Sequence, residues 1–293
     1  FGSRRNWRCS SWCTYLAAMD AIHAFFLLHL FCGSVYTADV YEHCTTCDQA
    51  KRASQQSARR LAERYEEELS DAMEQVERWR GESAKQRLQS QVMGKLKLDI
   101  LMSDALPLQR TLPDVRSKVC KKKVYPAMSL RASVVVPFYN EAGSVLLRTA
   151  QSILDRTPDS MLTEILLVDD GSDAPWSGQV RKDVEVFTSK HSKVHLVHRK
   201  KHLGLMTAKM EGFRQASGEV LVFLDSHCEV NIGWLEPLLA RINADEHAVP
   251  VPVIDSIDAQ RFTYSPGLLT YGVLSPGLYF AGRGRFNATD GKR

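Results

Sequence analysis

The chain lacks any strong bias of charge: 38 Lys and Arg stand against 34 Asp and Glu over 293 residues, a formal net charge of +4. Bases scattered among as many acids build no concentrated positive field, so nothing points to nucleic acid as a partner. An initiator methionine is also missing. The chain opens on Phe1 and is read as a fragment or an incomplete gene model. Proline is absent from Asp48 to Gln91, which permits an unbroken helix there. Cysteine is present seven times, yet no zinc framework results. Cys44-Thr-Thr-Cys47 beside His43 is half a zinc site with no second half downstream, so a local or intermolecular disulfide is favoured over metal. Cys9, Cys13 and Cys32 precede or lie within an apolar stretch and are read as unpaired.

That stretch, residues 15–35, includes Ala24-Phe-Phe-Leu-Leu-His-Leu-Phe-Cys32 and follows Arg4, Arg5 and Arg8. About twenty apolar residues suffice to span a bilayer, and the preceding positive charge assigns residues 1–14 to the cytoplasm. Asp20, His23 and His29 interrupt the run. A cleaved signal peptide ending between Ser34 and Ala38 and a buried soluble helix stay open beside a signal anchor. The signal anchor and the signal peptide both lead to the secretory pathway.

Residues 48 to about 91 are charged and free of proline. Within them Leu61, Tyr65, Leu69, Ala72 with Met73, Val76 and Trp79 recur at three- and four-residue steps, the pattern of an amphipathic helix ended by Gly81. Three heptads fit a weak coiled coil, a helix lying on another surface, or a solvated spacer. Pro107 and Pro113 then mark a boundary. Beyond it, strands are expected at Ser133–Val136 (stopped by Pro137), Glu164–Val168, Val194–Val197 and Val220–Leu224, with helices at Glu141–Arg156, Leu205–Ala216 and Gly233–Ile242. In the first of these helices Val145, Leu146, Thr149, Ile153 and Leu154 share one side. Strands alternating with helices predict an α/β fold with a mostly parallel sheet and helices on both faces.

Chemistry-bearing residues fall at the strand ends. The buried run Val220–Leu224 leads into Asp225-Ser-His227, whose two outer side chains share a side if the chain stays extended. A carboxylate oxygen and an imidazole nitrogen suit a divalent ion such as Mn²⁺, and ligands of open α/β sheets bind beyond the carboxyl ends of strands. The bland alternative is a strand-ending turn in which Asp225 caps the next helix. Three more elements occur in order: Pro137-Phe-Tyr-Asn140-Glu141, Val168-Asp169-Asp170-Gly-Ser172, and Gly204 to Lys209 at a helix start.

Together these four elements resemble the nucleotide-sugar half of a GT-A glycosyltransferase. More closely, Leu112-Pro-Asp-Val-Arg116 with Cys120, the run Val134 to Ala142, Leu146-Leu-Arg-Thr149, Glu164 to Asp170, Phe223-Leu-Asp-Ser-His-Cys-Glu229, Trp234 to Leu239 and Ile254-Asp-Ser-Ile-Asp258 are similar to the polypeptide N-acetylgalactosaminyltransferases. The resemblance implies transfer of GalNAc from UDP-GalNAc to a Ser or Thr hydroxyl, with retention of configuration and Mn²⁺ as cofactor. It makes Asp225 and His227 the catalytic metal ligands. Asp170 would contact uridine with Asp169 shaping its turn, Asn140 and Glu141 would frame the nucleotide pocket, and His202 and Lys209 would occupy places where the family carries arginines. It also implies a single-pass type II protein of the Golgi membrane: residues 1–14 as cytoplasmic tail, 15–35 as anchor, 36–105 as stem, 106–264 as the luminal glycosyltransferase 2-like domain, and 265–293 as a divergent tail.

Departures accompany the matches. Pro137 stands where better-known members have a small residue at the uracil, and lysine at position 209 lacks the fork of an arginine. The family's third metal ligand is a histidine beyond a Trp-Gly-Gly-Glu segment, and neither is present; nor is a lectin domain or the cysteine expected to pair with Cys120. Asn287-Ala-Thr289 is a glycosylation sequon. The chain is therefore expected to hold the nucleotide-sugar half and to be incomplete as an enzyme. The alternative is a non-catalytic Golgi membrane protein or UDP-binding fragment. A dolichol-linked or processive sugar transferase fits less well, because such enzymes carry D-x-D rather than D-x-H.

Overall fold

The structure, a computed structural model, describes residues 45–80, 82, 97–173, 176–267, 270–274 and 280–285. The apolar segment 15–35, Cys9, Cys13, Cys32, Cys44 and the sequon at Asn287 lie outside the described residues. Among those described, no helix is long and apolar enough to cross a membrane. The chain divides into two compact units, residues 1–61 and 62–293. In the first, the described residues are helical from Thr45.

The second unit is built on four parallel strands: β1 (Ala132–Phe138), β2 (Leu162–Asp169), β3 (Val194–His198) and β4 (Val220–Phe223). Their order in the sheet is β3-β2-β1-β4. Successive strands step outward from β1 to β3, and the chain then crosses back to place β4 on the other side of β1. The reversal of direction between β1 and β4 leaves a crevice at the carboxyl ends of these strands, the place where open α/β sheets bind ligands.

Alternation along β1 sorts the two faces. Val134, Val136 and Phe138 join Ile165 and Leu167 in one core with Leu146, Ala150 and Ile153 of helix α4 (Gly143–Arg156) and Val184 and Phe187 of α5 (Trp176–Lys190). Val135, Leu166, Val168 and Val197 face the opposite way, against Ala208 of α6 (Leu205–Gln215). Four further helices complete the described set: α1 (Thr45–Arg80), α2 (Ile100–Ala105) and α3 (Lys118–Lys122) precede the sheet, and α7 (Glu236–Ala244) follows it. Short pairs β5 (Ser256–Ile257) with β6 (Tyr264–Ser265), and β7 (Thr270–Leu274) with β8 (Phe280–Arg285), are antiparallel. The amphipathic stripe of α1 lies on another surface, as one of the three readings had it: Tyr65, Leu69, Ala72 and Val76 are buried with Ile100, Leu101, Leu106, Val145 and Phe262. Leu61 and Met73 are exposed.

Several boundaries differ from the sequence expectation. β1 does not stop at Pro137 but continues to Phe138, with Pro137 opposite Val168. Val135 accepts a hydrogen bond from Leu224 and Phe138 one from Asp170, so the backbone of residue 137 faces the β4 side. The β4 ladder ends at Phe223 opposite Val135. Proline thus occupies a step with no ladder bond to lose. The helix expected from Glu141 begins at Gly143, because Asn140 takes a left-handed φ of 52° and Glu141 is used in the site. β4 is an edge strand rather than a fully buried one, and Phe223 is exposed. α7 starts at Glu236 rather than Gly233, which has φ 69° and sits against Arg116. The crossover α5 was not expected from the sequence at all, although Val180, Val184 and Phe187 carry its buried spacing.

Two tests follow from this packing. An ideal Cβ on Gly212 of α6 lies 2.2 Å from Cγ1 of Val135. Gly212→Ala, which favours an exposed helix, is therefore expected to destabilise this one by about 1–3 kcal/mol, read by urea denaturation. Glu164 on β2 accepts hydrogen bonds from Ser133 Oγ at 2.8 Å and from Ser217 N and Oγ at 2.7 Å each. Burial by itself raises this carboxyl, but the hydrogen bonds from Ser217 and Ser133 outweigh it and hold the group below its ordinary 4.5. A folded-state value below the unfolded one gives stability that is complete above 4.5 and lost as pH falls through the lowered value. Glu164→Gln should flatten that part of the acid-denaturation profile.

Candidate active site

The crevice between the ends of β1 and β4 is an open cleft of about 290 Å³, lined by Pro137, Phe138, Tyr139, Glu141, Asp170, His202, Leu205, Ala208, Asp225, Ser226 and His227. Five of the eight residues singled out from the sequence therefore meet there: Glu141, Asp170, His202, Asp225 and His227. Asn140 and Asp169 lie next to it, around a small hollow shared with Glu141 and Ser172. Lys209 lies outside the lining, with its Nζ 5.9 Å from the centre of the Phe223 ring.

One wall is the turn after β2. Asp170 is buried, and its carboxylate accepts from Arg199 Nη1 at 2.7 Å, Gly204 N at 2.8 Å and Leu203 N at 3.2 Å, with His202 Nδ1 at 2.8 Å. Asp169 accepts from Ser172 N at 2.9 Å and lies 2.9 Å from His198 Nδ1. These bonds draw the loop after β3 over the turn so closely that a Cβ on Gly171, which has φ 74°, would sit 2.5 Å from the carbonyl carbon of Lys201. Only glycine fits both the angle and the approach. The His202 ring stacks on Tyr139, centroids 3.8 Å apart at 22°, and Tyr139 donates to Asp173 at 2.5 Å. Neither Tyr139 nor Arg199 was singled out from the sequence; their contacts depend on a loop fold that carries no local signature.

The other wall is the segment after β4. Asp225, Ser226 and His227 lie beyond the strand, with Ser226 and His227 on a turn, so the expected alternation of an extended chain does not apply. The two outer residues reach the same cleft because the buried Ser226 is fixed from both ends: its carbonyl accepts from Thr149 Oγ1 at 2.8 Å, and its hydroxyl donates to Glu141 Oε2 at 2.7 Å. His227 Nδ1 lies 3.2 Å from the same Glu141 oxygen. Burial works to raise the Glu141 carboxyl, but hydrogen bonds from His227, Ser226 and the Ala142 N–H prevail and hold it below the usual carboxylate range. The bond to Glu141 in turn raises the His227 imidazole, against a smaller desolvation effect. Burial, and then the Asp225 carboxylate, pushes the Cys228 thiol up to about 11, so it stays protonated at neutral pH.

Behind this wall is a buried ionic cluster that the sequence reading missed. Glu229 accepts from Arg110 Nη1 at 3.2 Å and is 3.3 Å from Arg148 Nε; the carboxylate side chain is 6% exposed and each guanidinium 1%. Arg148 also donates to Ser103 O and Oγ and to Leu106 O, while Arg110 reaches Phe262 O. Ser152 Oγ receives Val230 N, and Arg156 donates to Val230 O. Residues 148, 152 and 156 are spaced by four, so one polar face of α4 fastens the segment that follows the cleft.

Residues 133–290 match the family model described as glycosyl transferase family 2. The chain belongs to that family. Among its relatives, polypeptide N-acetylgalactosaminyltransferase 11 of Xenopus tropicalis is 46% identical over 184 residues, 62% of this chain and 30% of that protein. Human polypeptide N-acetylgalactosaminyltransferase 13 is 42% identical over 176 residues, 59% of this chain and 31% of the relative. The crystal structure of GalNAc-T7 with UDP, GalNAc and Mn²⁺ superposes with a TM-score of 0.62 at 31% identity, covering 68% of this chain and 37% of that one. The α/β GT-A architecture expected from the sequence is thus shared with a solved member. The chain spans about a third of the length of these relatives.

The cluster behind the cleft yields a test. Glu229→Gln leaves two buried guanidinium groups without their counter-charge, and removing one partner of such a set costs about 3–5 kcal/mol. Denaturant titration should register a loss of this size, and a loss under about 1 kcal/mol would show that the cluster contributes little.

Proposed function

We propose that this chain provides the nucleotide-sugar half of a polypeptide N-acetylgalactosaminyltransferase, which moves GalNAc from UDP-GalNAc to Ser or Thr hydroxyls of proteins with retention of configuration. The observation that carries the reading is the meeting of Asp225 and His227, across one cleft, with the braced Asp170 turn. In this reading Asp170 and His202, with Tyr139 behind the imidazole, receive the uridine part. Asp169 and Asn140 hold the shape of the two loops, the latter through Ser172 Oγ at 2.9 Å and Asp173 N at 2.8 Å. Lys209 lends positive charge at the margin of the cleft.

Asp225 and His227 are the residues that would hold Mn²⁺. The donor set fits the ion: one carboxylate and one imidazole, both exposed to the cleft, with Nδ1 of the ring engaged by Glu141 and Nε2 left for a ligand. Among the described residues no group of three or more His, Cys, Asp or Glu gathers around them. When bound, the ion supplies positive charge against the departing UDP. The same reading places the protein in the Golgi membrane as a single-pass type II protein, anchored by residues 15–35 with its catalytic part in the lumen.

A second reading is a UDP-binding protein without transfer. Calorimetry of UDP with and without Mn²⁺, together with transfer from UDP-GalNAc to a Ser/Thr peptide, separates them. Mn²⁺-dependent UDP binding is expected, weakened more than about 100-fold in Asp225→Ala. Binding unchanged by that substitution would remove the metal reading, whereas binding without transfer selects the second one.

A further inference from the structure

Glu141 is committed at both oxygens. Oε1 accepts the Ala142 N–H at 3.0 Å; Oε2 accepts the Ser226 hydroxyl at 2.7 Å and lies 3.2 Å from His227 Nδ1. The carboxylate is buried, while the imidazole beyond it is 62% exposed. An exposed neutral imidazole otherwise exchanges tautomers and rotates about its side-chain bonds. Facing an ionised carboxylate, which only accepts, Nδ1 must carry the hydrogen, and the lone pair is left on Nε2.

Resting on the metal reading above, we propose that Glu141 is a positioning residue for His227: it fixes the tautomer and the ring plane so that Nε2 is the nitrogen offered to a divalent cation. Besides the Ser226 hydroxyl bond to Glu141, the turn has holds that do not involve this carboxylate, through the Ser226 carbonyl to Thr149 and through Val230 to Ser152 and Arg156. Only the contact to Nδ1 is aimed at the ring. Carboxylates placed behind a metal-binding histidine in this way typically change metal affinity by about 10–100-fold when removed.

The test uses the full chain with Mn²⁺ and UDP as probes, following free Mn²⁺ by electron paramagnetic resonance. Glu141→Ala should weaken Mn²⁺ uptake about 10–100-fold. The isosteric Glu141→Gln keeps the volume in case alanine does not fold, and should shift uptake in the same direction. In a His227→Ala background the same substitutions should change it by less than about threefold, because no ring remains to be oriented. A second readout needs no metal: nitrogen-15 spectra of histidine-labelled protein, with His227 assigned through His227→Ala, should show Nδ1 protonated in the wild type and a shift toward the Nε2–H form in Glu141→Gln. Equal Mn²⁺ affinity in wild type and Glu141→Gln, a full effect persisting without His227, or Nε2–H already dominant in the wild type would each overturn the proposal. Absence of Mn²⁺ uptake by the wild type would overturn the metal reading itself; the tautomer then still reports whether the Glu141 contact orients the ring.

Discussion

Two guanidinium groups and one carboxylate, all shut away from water, decide where the segment after β4 lies. Arg110 comes from the stretch between α2 and α3, Arg148 from α4, and Glu229 from the residues that follow the cleft. A buried charge left alone is costly, so each of the three is tolerable only while the others are present. The cluster is therefore less a source of stability than a condition on assembly. Three stretches remote in sequence must arrive together, and when they do the segment that follows Asp225 and His227 is held in place.

From there the constraint passes to the cleft by short polar links. Thr149 holds the carbonyl of Ser226, Glu141 its hydroxyl, and Ser152 the amide of Val230. Across the crevice the Asp170 turn is held by an independent set, Arg199 and the amides of Leu203 and Gly204, under the loop that Gly171 admits. The walls thus share little beyond the end of β1, where Pro137 to Glu141 touch both. A chemistry that needs a base-binding side and a cation-binding side at fixed separation is served by this arrangement, since the rigid central strand sets the gap.

Much of the architecture was legible in the chain because β-branched and aliphatic runs at Ser133–Val136, Glu164–Val168 and Val220–Leu224 have few other uses than strands of a covered sheet. The order of Asp169-Asp170, Gly204 and Asp225-Ser-His227 at their ends located the cleft. What stayed hidden was long-range. On α4 the apolar residues Val145, Leu146 and Ile153 announced a core face, but Arg148, Gln151 and Ser152 are buried as well. Their partners lie at Glu229, Val230 and Ser103, which no local pattern connects. α5 was passed over because its apolar residues are few and its first turn follows directly on the Asp-rich turn. The place of Glu141 was read as framing a pocket; its bond to His227 required knowing how the turn after β4 folds back.

Pro137 has an effect that outlasts any particular ligand. Its ring nitrogen has no hydrogen to offer on the flank where β4 has just ended. Were an amide present there, β4 could zip one rung further along its neighbour and pull the fork between them closed. With an imino acid at that rung, the fork stays splayed without any strut to prop it, and the side chains around its mouth are free to vary without the sheet growing into the space they enclose.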